Sequence, residues 1–314
     1  MTAQTIMGAP ASQTSPGTGA ESAPEASPST PAMAGTFLVD KLRVLDARLQ
    51  SSAPRVVASS NDEHAVHDLR VALRRSRIVL QVGRRVLGRF HADEARRALR
   101  DVQRATGDLR DEEVLLELFG SLAVEETGIA AWVESRRARE RRLRRALVRA
   151  VQSGQLETGR RMLAALLAFP VKPSRDRRLA KLARRAVEKS RREVFRLRSA
   201  PMDDGEALHR LRIAYKRLRY VVETFAEVLP PDLAALAQPA SRFQSRLGDL
   251  HDVDVAIATV RRARALAEPD RQELLAALGR VRIDRTTSYA KEIGLVSIAP
   301  SPLASAMVPV DGPA

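Results

Sequence analysis

Leu38, Leu42, Leu45 and Leu49 recur three and four residues apart, and this helical period carries apolar positions through most of the chain. It predicts a first helix from about Thr36. Pro54 places a loop over residues 51–61, after which Asn61 or Asp62 caps a second helix that runs to about Leu87, before Gly88. A third stretch covers residues 92–104 and is interrupted or bent at Gly107. Val114, Leu115, Leu118 and Leu122 then form the inward stripe of residues 109–125. Gly128 opens an arginine-rich helix to about Val151, and residues 156–169 make another that ends at Pro170 and Pro173. Residues 177–198 follow, then a turn at 201–205 and a helix around His209 that stops before Pro230. Residues 232–246, 249–267 and 269–291 complete the series. No segment alternates with the period of a strand, so the expected fold class is all-α.

The same pattern delimits the chain. Residues 1–35 are mostly Ala, Pro, Ser, Thr and Gly without apolar periodicity, and are expected to be a disordered tail, as are residues 295–314. The proline-punctuated segment divides the remainder into 36–172 and 173–294.

These parts resemble each other. Residues 67–77 read His-Asp-Leu-Arg-Val-Ala-Leu-Arg-Arg-Ser-Arg, and residues 209–219 read His-Arg-Leu-Arg-Ile-Ala-Tyr-Lys-Arg-Leu-Arg, with six of eleven positions identical. A second block, Gly-Asp-Leu-Arg-Asp-Glu-Glu-Val from Gly107, matches Gly-Asp-Leu-His-Asp-Val-Asp-Val from Gly248. The first blocks lie 142 residues apart and the second 141. That separation is far longer than a solenoid repeat and indicates a duplicated domain, each half supplying about four helices, as in two antiparallel four-helix bundles.

Within each first block the cations share a face. At 100° per residue His67, Arg70, Arg74 and Arg77 fall within about 80°, as do His209, Arg212, Lys216 and Arg219. Val66, Leu69, Leu73 and Leu80 fall beside that arc, so the basic stripe borders the buried face instead of opposing it. Two such helices suggest an anion site.

The residues are similar to the CHAD family, the conserved-histidine α-helical domains. The likeness rests on His-x-x-Arg-x-x-x-(Arg/Lys)-Arg-x-Arg in each half and Leu-Gly-Asp-Leu-x-Asp-x-Asp from Leu247, and it spans roughly residues 36–291. The resemblance implies two four-helix bundles related by a pseudo-twofold axis, with inorganic polyphosphate bound on a basic central surface. Carried over by position, the ligand-contacting candidates are His67, Arg70, Arg74, Arg77, His209, Arg212, Lys216 and Arg219. Thr106, Arg110 and Glu113 depart from the pattern of the second acidic block, where Leu247, His251 and Asp254 stand.

Charge agrees with an anionic partner. The formal net charge is +15, and the only charges in the two tails are Glu21, Glu25 and Asp311, so the excess belongs to the central segment. Arginine suits phosphate through bidentate hydrogen bonds. Arg178, Lys181 and Arg185, with Lys189 and Arg192, align at helical spacing and are read as additional contacts that widen the groove. Asp111, Asp252 and Asp254 are read as structural partners of arginines such as Arg75 and Arg217, not as metal ligands. No metal site or cofactor is expected. His64 is read as an exposed histidine, and His91, which has no partner pattern, as standing at a helix start.

Other classes fit less well. Aromatic residues make up 4% of the chain, and Trp132, Tyr215 and Tyr220 form no stacking platform, so a nucleic-acid backbone binder is kept as the alternative. No strand carries clustered carboxylates for metal-assisted phosphoryl transfer, so the chain is not expected to be an enzyme, and a polyphosphate-metabolising enzyme stands as the other alternative. There are no cysteines, and no apolar run approaches the ~20 residues of a membrane span. The N-terminus has no basic flank before an apolar core, so the expected compartment is the cytoplasm, at polyphosphate granules.

Overall fold

Asp62 and Asp204 start the two helices that carry the repeated stripes. The Asp62 side chain accepts the Ala65 N–H at 2.9 Å, and Asp204 accepts that of Ala207 at 2.8 Å. In the computed structural model, which describes residues 32–59, 61–122 and 127–293, the chain is all-helical. The long helices are α1 (Ala34–Ala58), α2 (Glu63–Leu87), α3 (Arg89–Ala98), α4 (Arg100–Ser121), α5 (Thr127–Gln152) and α6 (Gln155–Ala168). After the proline segment come α7 (Leu179–Leu197), α8 (Gly205–Phe225), the single turn α9 (Pro231–Ala234), α10 (Ala237–Arg261) and α11 (Glu268–Ile293). Gly88, at φ 96°, makes the sharp corner between α2 and α3, and Gly154, at φ 80°, that between α5 and α6.

Four sequence expectations are corrected. No loop occupies residues 51–58: α1 continues through Pro54, because Ser52 and Val56 are buried on its inner face and hold the last turns in register. The helix does not bend at Gly107. Its interruption falls at Leu99, which is fully buried between α3 and α4. The expected break between residues 246 and 249 is likewise absent, since Leu247 and Leu250 both bury within a continuous α10. Order also begins before Thr36. Ala34 N–H donates to Arg177 O and Leu179 N–H to Ala32 O, each at 2.8 Å, tying the start of α1 to that of α7. The rest of the two expected tails, residues 1–31 and 295–314, lies outside the described residues, as do residues 123–125 of the expected fourth helix and residue 294 of the second half.

Neighbouring helices pack in the same order on each side of the proline segment. α1 lies on α2 and α7 on α8; α4 lies on α5 and α10 on α11. Across the molecule α2 packs against α8, α4 against α10, and α1 against α7. The main core is continuous across Pro173, joining Leu42 of α1, Leu73 of α2, Leu109 of α4, Val187 of α7, Leu218 of α8 and Phe243 of α10. Phe37 stacks on Phe225 at 5.5 Å, a direct joint between α1 and α8. A smaller cluster around Phe119, Trp132, Val260 and Leu278 closes the far ends of α4, α5, α10 and α11. These contacts leave the arginine edges of α2 and α8 facing each other.

Candidate anion-binding site

The stripes meet where α2 packs against α8. Arg74 Nη1 donates to the Tyr220 hydroxyl at 2.5 Å, and its guanidinium lies 5.4 Å from the tyrosine ring centre. Arg219 lies 5.5 Å from the same ring, so one aromatic side chain steadies a cation from each helix. Glu223 accepts from Arg219 Nε at 2.7 Å and from Arg75 at 3.5 Å, a second tie across the pair.

Lys216 stands at the meeting point. Burial, and then the charges of Arg74, Arg212 and Arg70, push its ammonium down to about 8, against the pull of Asp111. Burial also lowers Arg70, with Arg74 and Arg110 adding to it. Arg74 and Lys216 are counterparts in the repeat, and they face each other. The Nε atoms of Arg74, Arg77 and Arg212 are buried and have no hydrogen-bond partner in the protein. Guanidiniums crowded together with unspent donors describe a place for an acceptor-rich anion.

The histidines flank this centre differently. His67 is exposed, lowered first by desolvation and then by Arg70. His209 is half-buried, and its Nδ1 lies 3.2 Å from Nδ1 of His251. One ring donates and the other accepts, so the contact excludes Nδ1 protons on both. Burial, Arg212 and His209 push His251 down to about 4. Arg110 holds the matching place in the first half and pairs with Glu117 at 2.8 Å.

Arg77 and Arg219 mark the outer ends. Arg77 Nη1 donates to Gln103 Oε1 at 2.5 Å, and Arg219 Nη1 to Gln244 Oε1 at 3.3 Å. These glutamines were missed by the sequence reading, although both stand four residues before the repeated Gly-Asp pair. Tyr220 was missed as well, because it was weighed only as a base-stacking platform. Arg178, Lys181 and Arg185 lie outside this cluster, exposed on α7.

The acids are arranged otherwise than expected. Arg75 pairs with Glu223, not with an aspartate, and Asp254 pairs with Arg282 at 2.7 Å. Arg217 contributes to the field at Glu193. Asp111 and Asp252, counterparts in the repeat, both have raised carboxyls; the charge of Asp111 adds to the rise at Asp252, and that of Asp108 to the rise at Asp111. Desolvation is the larger cause, and Arg212 opposes it in both. Glu112, fully buried, is held by Arg136 at 2.6 Å and Arg139 at 3.1 Å. Among the described residues no group of three or more His, Asp and Glu side chains is arranged to hold a metal ion. No helix among them is long and apolar enough to cross a membrane.

The sequence profile of the CHAD domain matches residues 43–261. Two solved structures have similar folds. The CHAD domain from the plant Ricinus communis aligns with a TM-score of 0.65 at 20% identity, covering 85% of this chain and 94% of its own. PptA from Streptomyces chartreusis aligns with a TM-score of 0.65 at 17% identity, covering 84% and 98% respectively. Comparison with curated proteins finds no match.

Proposed function

Because the chain belongs to the CHAD domain family, we propose that it is a non-enzymatic module that binds inorganic polyphosphate in the α2–α8 basic centre. The observation that carries this reading is the convergence of Arg70, Arg74, Arg212 and Lys216 with buried, unspent Nε donors. Polyphosphate presents closely spaced charges and no bases, so recognition needs cations and acceptor-directed donors in series, without any element that reads sequence. Binding releases counterions from the chain, and so the affinity falls with salt.

The reading includes the duplication into two four-helix bundles about a pseudo-twofold axis. The like-on-like packing of α2 with α8 and α4 with α10, and the facing counterparts Arg74/Lys216 and Asp111/Asp252, support it. A non-catalytic role is supported by the carboxylates near the centre. Asp254 is tied to Arg282 and Glu113 to Arg144 at 2.9 Å, which leaves them poorly placed to gather a metal for phosphoryl transfer. The proposed setting is the polyphosphate granule. The test is a titration of the whole chain with polyphosphate and with duplex DNA at equal phosphate concentration and fixed salt, with free phosphate assayed in Mg²⁺. Tight polyphosphate binding that duplex DNA does not displace, without phosphate release, is the expected result. Displacement by DNA or release of phosphate overturns the reading.

A further inference from the structure

The outward face of α7 has no role in the site described so far. Its inner face, with Leu179, Ala183, Val187, Ser190 and Val194, is buried. Opposite it Lys181, Arg185, Lys189 and Arg192 are all exposed, cover about 80° of the helix and run for about 16 Å along its axis. Arg178 stands exposed at the N-cap, where the same row begins. Among the described residues none of these five forms an ion pair.

The arrangement works against the helix. Like charges three and four residues apart repel, and cations near a helix N-terminus oppose its dipole. No acid stands in the first turn of α7 to offset them. The fold does not require the row either. Leu38, Leu42 and Leu49 bury on α1 141 residues before Leu179, Ala183 and Ser190. At that same offset the four outward cations have Asp40, Val44, Arg48 and Ser51 as counterparts, with no net charge. An unfavourable local feature that one helix carries and its counterpart lacks indicates a use.

The row also connects with the centre. Arg217 follows Lys216 on α8, and Arg217 and Lys189 both act on the Glu193 carboxylate, which Arg196 chiefly holds down. Glu193 thus stands within the field both of Arg217, the residue after Lys216, and of Lys189 in the α7 row.

We propose that the outward face of α7 is a second polyanion track, which takes the outlying phosphates of a long polyphosphate chain whose nearer phosphates occupy the α2–α8 centre. The inference rests on the function proposed above and gives that site a basis for chain-length discrimination. A tripolyphosphate reaches the centre alone; a long chain engages both surfaces, and the second contact is intramolecular.

The test compares the whole chain with its Lys181→Gln, Arg185→Gln, Lys189→Gln, Arg192→Gln variant, using tripolyphosphate, long-chain polyphosphate and duplex DNA over a range of salt. Because the four side chains are exposed and their mutual repulsion is relieved, the variant should keep its helical circular dichroism and melt no lower than the parent. A variant with arginine at 181 and 189 and lysine at 185 and 192 keeps the charge and controls for packing. The glutamine variant is expected to bind tripolyphosphate as the parent does, to lose about tenfold or more in long-chain affinity, and to show a shallower salt slope, by about 0.7 per lost contact. The lysine and arginine control should bind as the parent. Unchanged long-chain affinity and slope, or an equal loss for both ligands, overturns the track while leaving the central site standing. A loss of duplex DNA binding in place of polyphosphate binding overturns it in favour of a nucleic-acid surface. Failure of the parent to bind either polyphosphate removes the proposed function itself.

Discussion

Arg74 and Lys216 hold the same place in the two repeats. The Lys216 ammonium, pushed down to about 8, gives up its proton within the working range. A bound polyanion favours the charged form, so affinity for polyphosphate should weaken as pH rises from 7 to 9. Lys216→Arg should flatten that profile in calorimetric titrations; an unchanged slope would remove Lys216 from the site. His251 titrates on the other side of neutrality. Its folded value, about 4, lies below the ordinary 6.5. Above pH 6.5 both the folded and unfolded forms are neutral and nothing is lost. Between 6.5 and 4 the unfolded chain takes a proton that the fold refuses, so stability falls as pH falls. Desolvation, Arg212 and Lys216 lower His209 as well, which adds in the same direction, while the raised carboxyls of Asp111 and Asp252 act in the opposite one. The informative comparison is therefore thermal melting of His251→Asn against the parent, with the variant expected to lose less stability on going from pH 7 to pH 4.5. Equal losses would show that the pair does not exclude the proton.

At the level of helices, α2 and α8 were legible because local signals agreed with tertiary burial. Each has an aspartate cap, an apolar period and cations along one edge. Elsewhere glycine and proline were read as punctuation where packing outweighs them. Pro54 costs α1 one backbone hydrogen bond, yet Val56 beyond it is fully buried. Leu99, an unremarkable leucine in sequence, is the real joint between α3 and α4. Gly107 and Gly248 occupy matching places inside helices and have different surroundings. A Cβ at Gly107 meets nothing within 4 Å, whereas one at Gly248 would lie 3.5 Å from Arg212 Nε. Gly107→Ala should therefore stabilise the protein by about 0.5–1 kcal/mol with binding intact. Gly248→Ala should also fold, and its methyl, in ordinary van der Waals contact with the unpaired Arg212 Nε, should shield that donor and weaken polyphosphate binding. Denaturant melts and titrations of both variants check this. Equal affinities would mean that the Gly248 edge of Arg212 faces no phosphate.

Across the whole molecule, the helical class, the repeat and the positive excess could be read from the chain; the meeting of the two stripes could not. Sequence separation says nothing of which edge of α2 faces α8, and that is settled by packing such as Phe37 on Phe225 and by the continuous core through Leu73 and Leu218. Gln103, Tyr220 and Gln244 belong to the candidate site for the same reason, since each becomes relevant only when an arginine from an earlier helix is brought to it. A net charge of +15 would attract any polyanion at low salt, so charge alone does not identify the site. The direct test is isothermal titration of long-chain polyphosphate into the parent and into a variant with Arg70, Arg74, Arg212 and Lys216 all changed to Ala, at physiological salt. The variant keeps most of the positive charge of the chain. It should remain helical and lose at least a hundredfold in affinity, as expected when several charge-assisted hydrogen bonds, each worth ~1.5–3 kcal/mol, are removed together. A folded variant that binds as tightly as the parent would contradict the account and move recognition away from the α2–α8 centre.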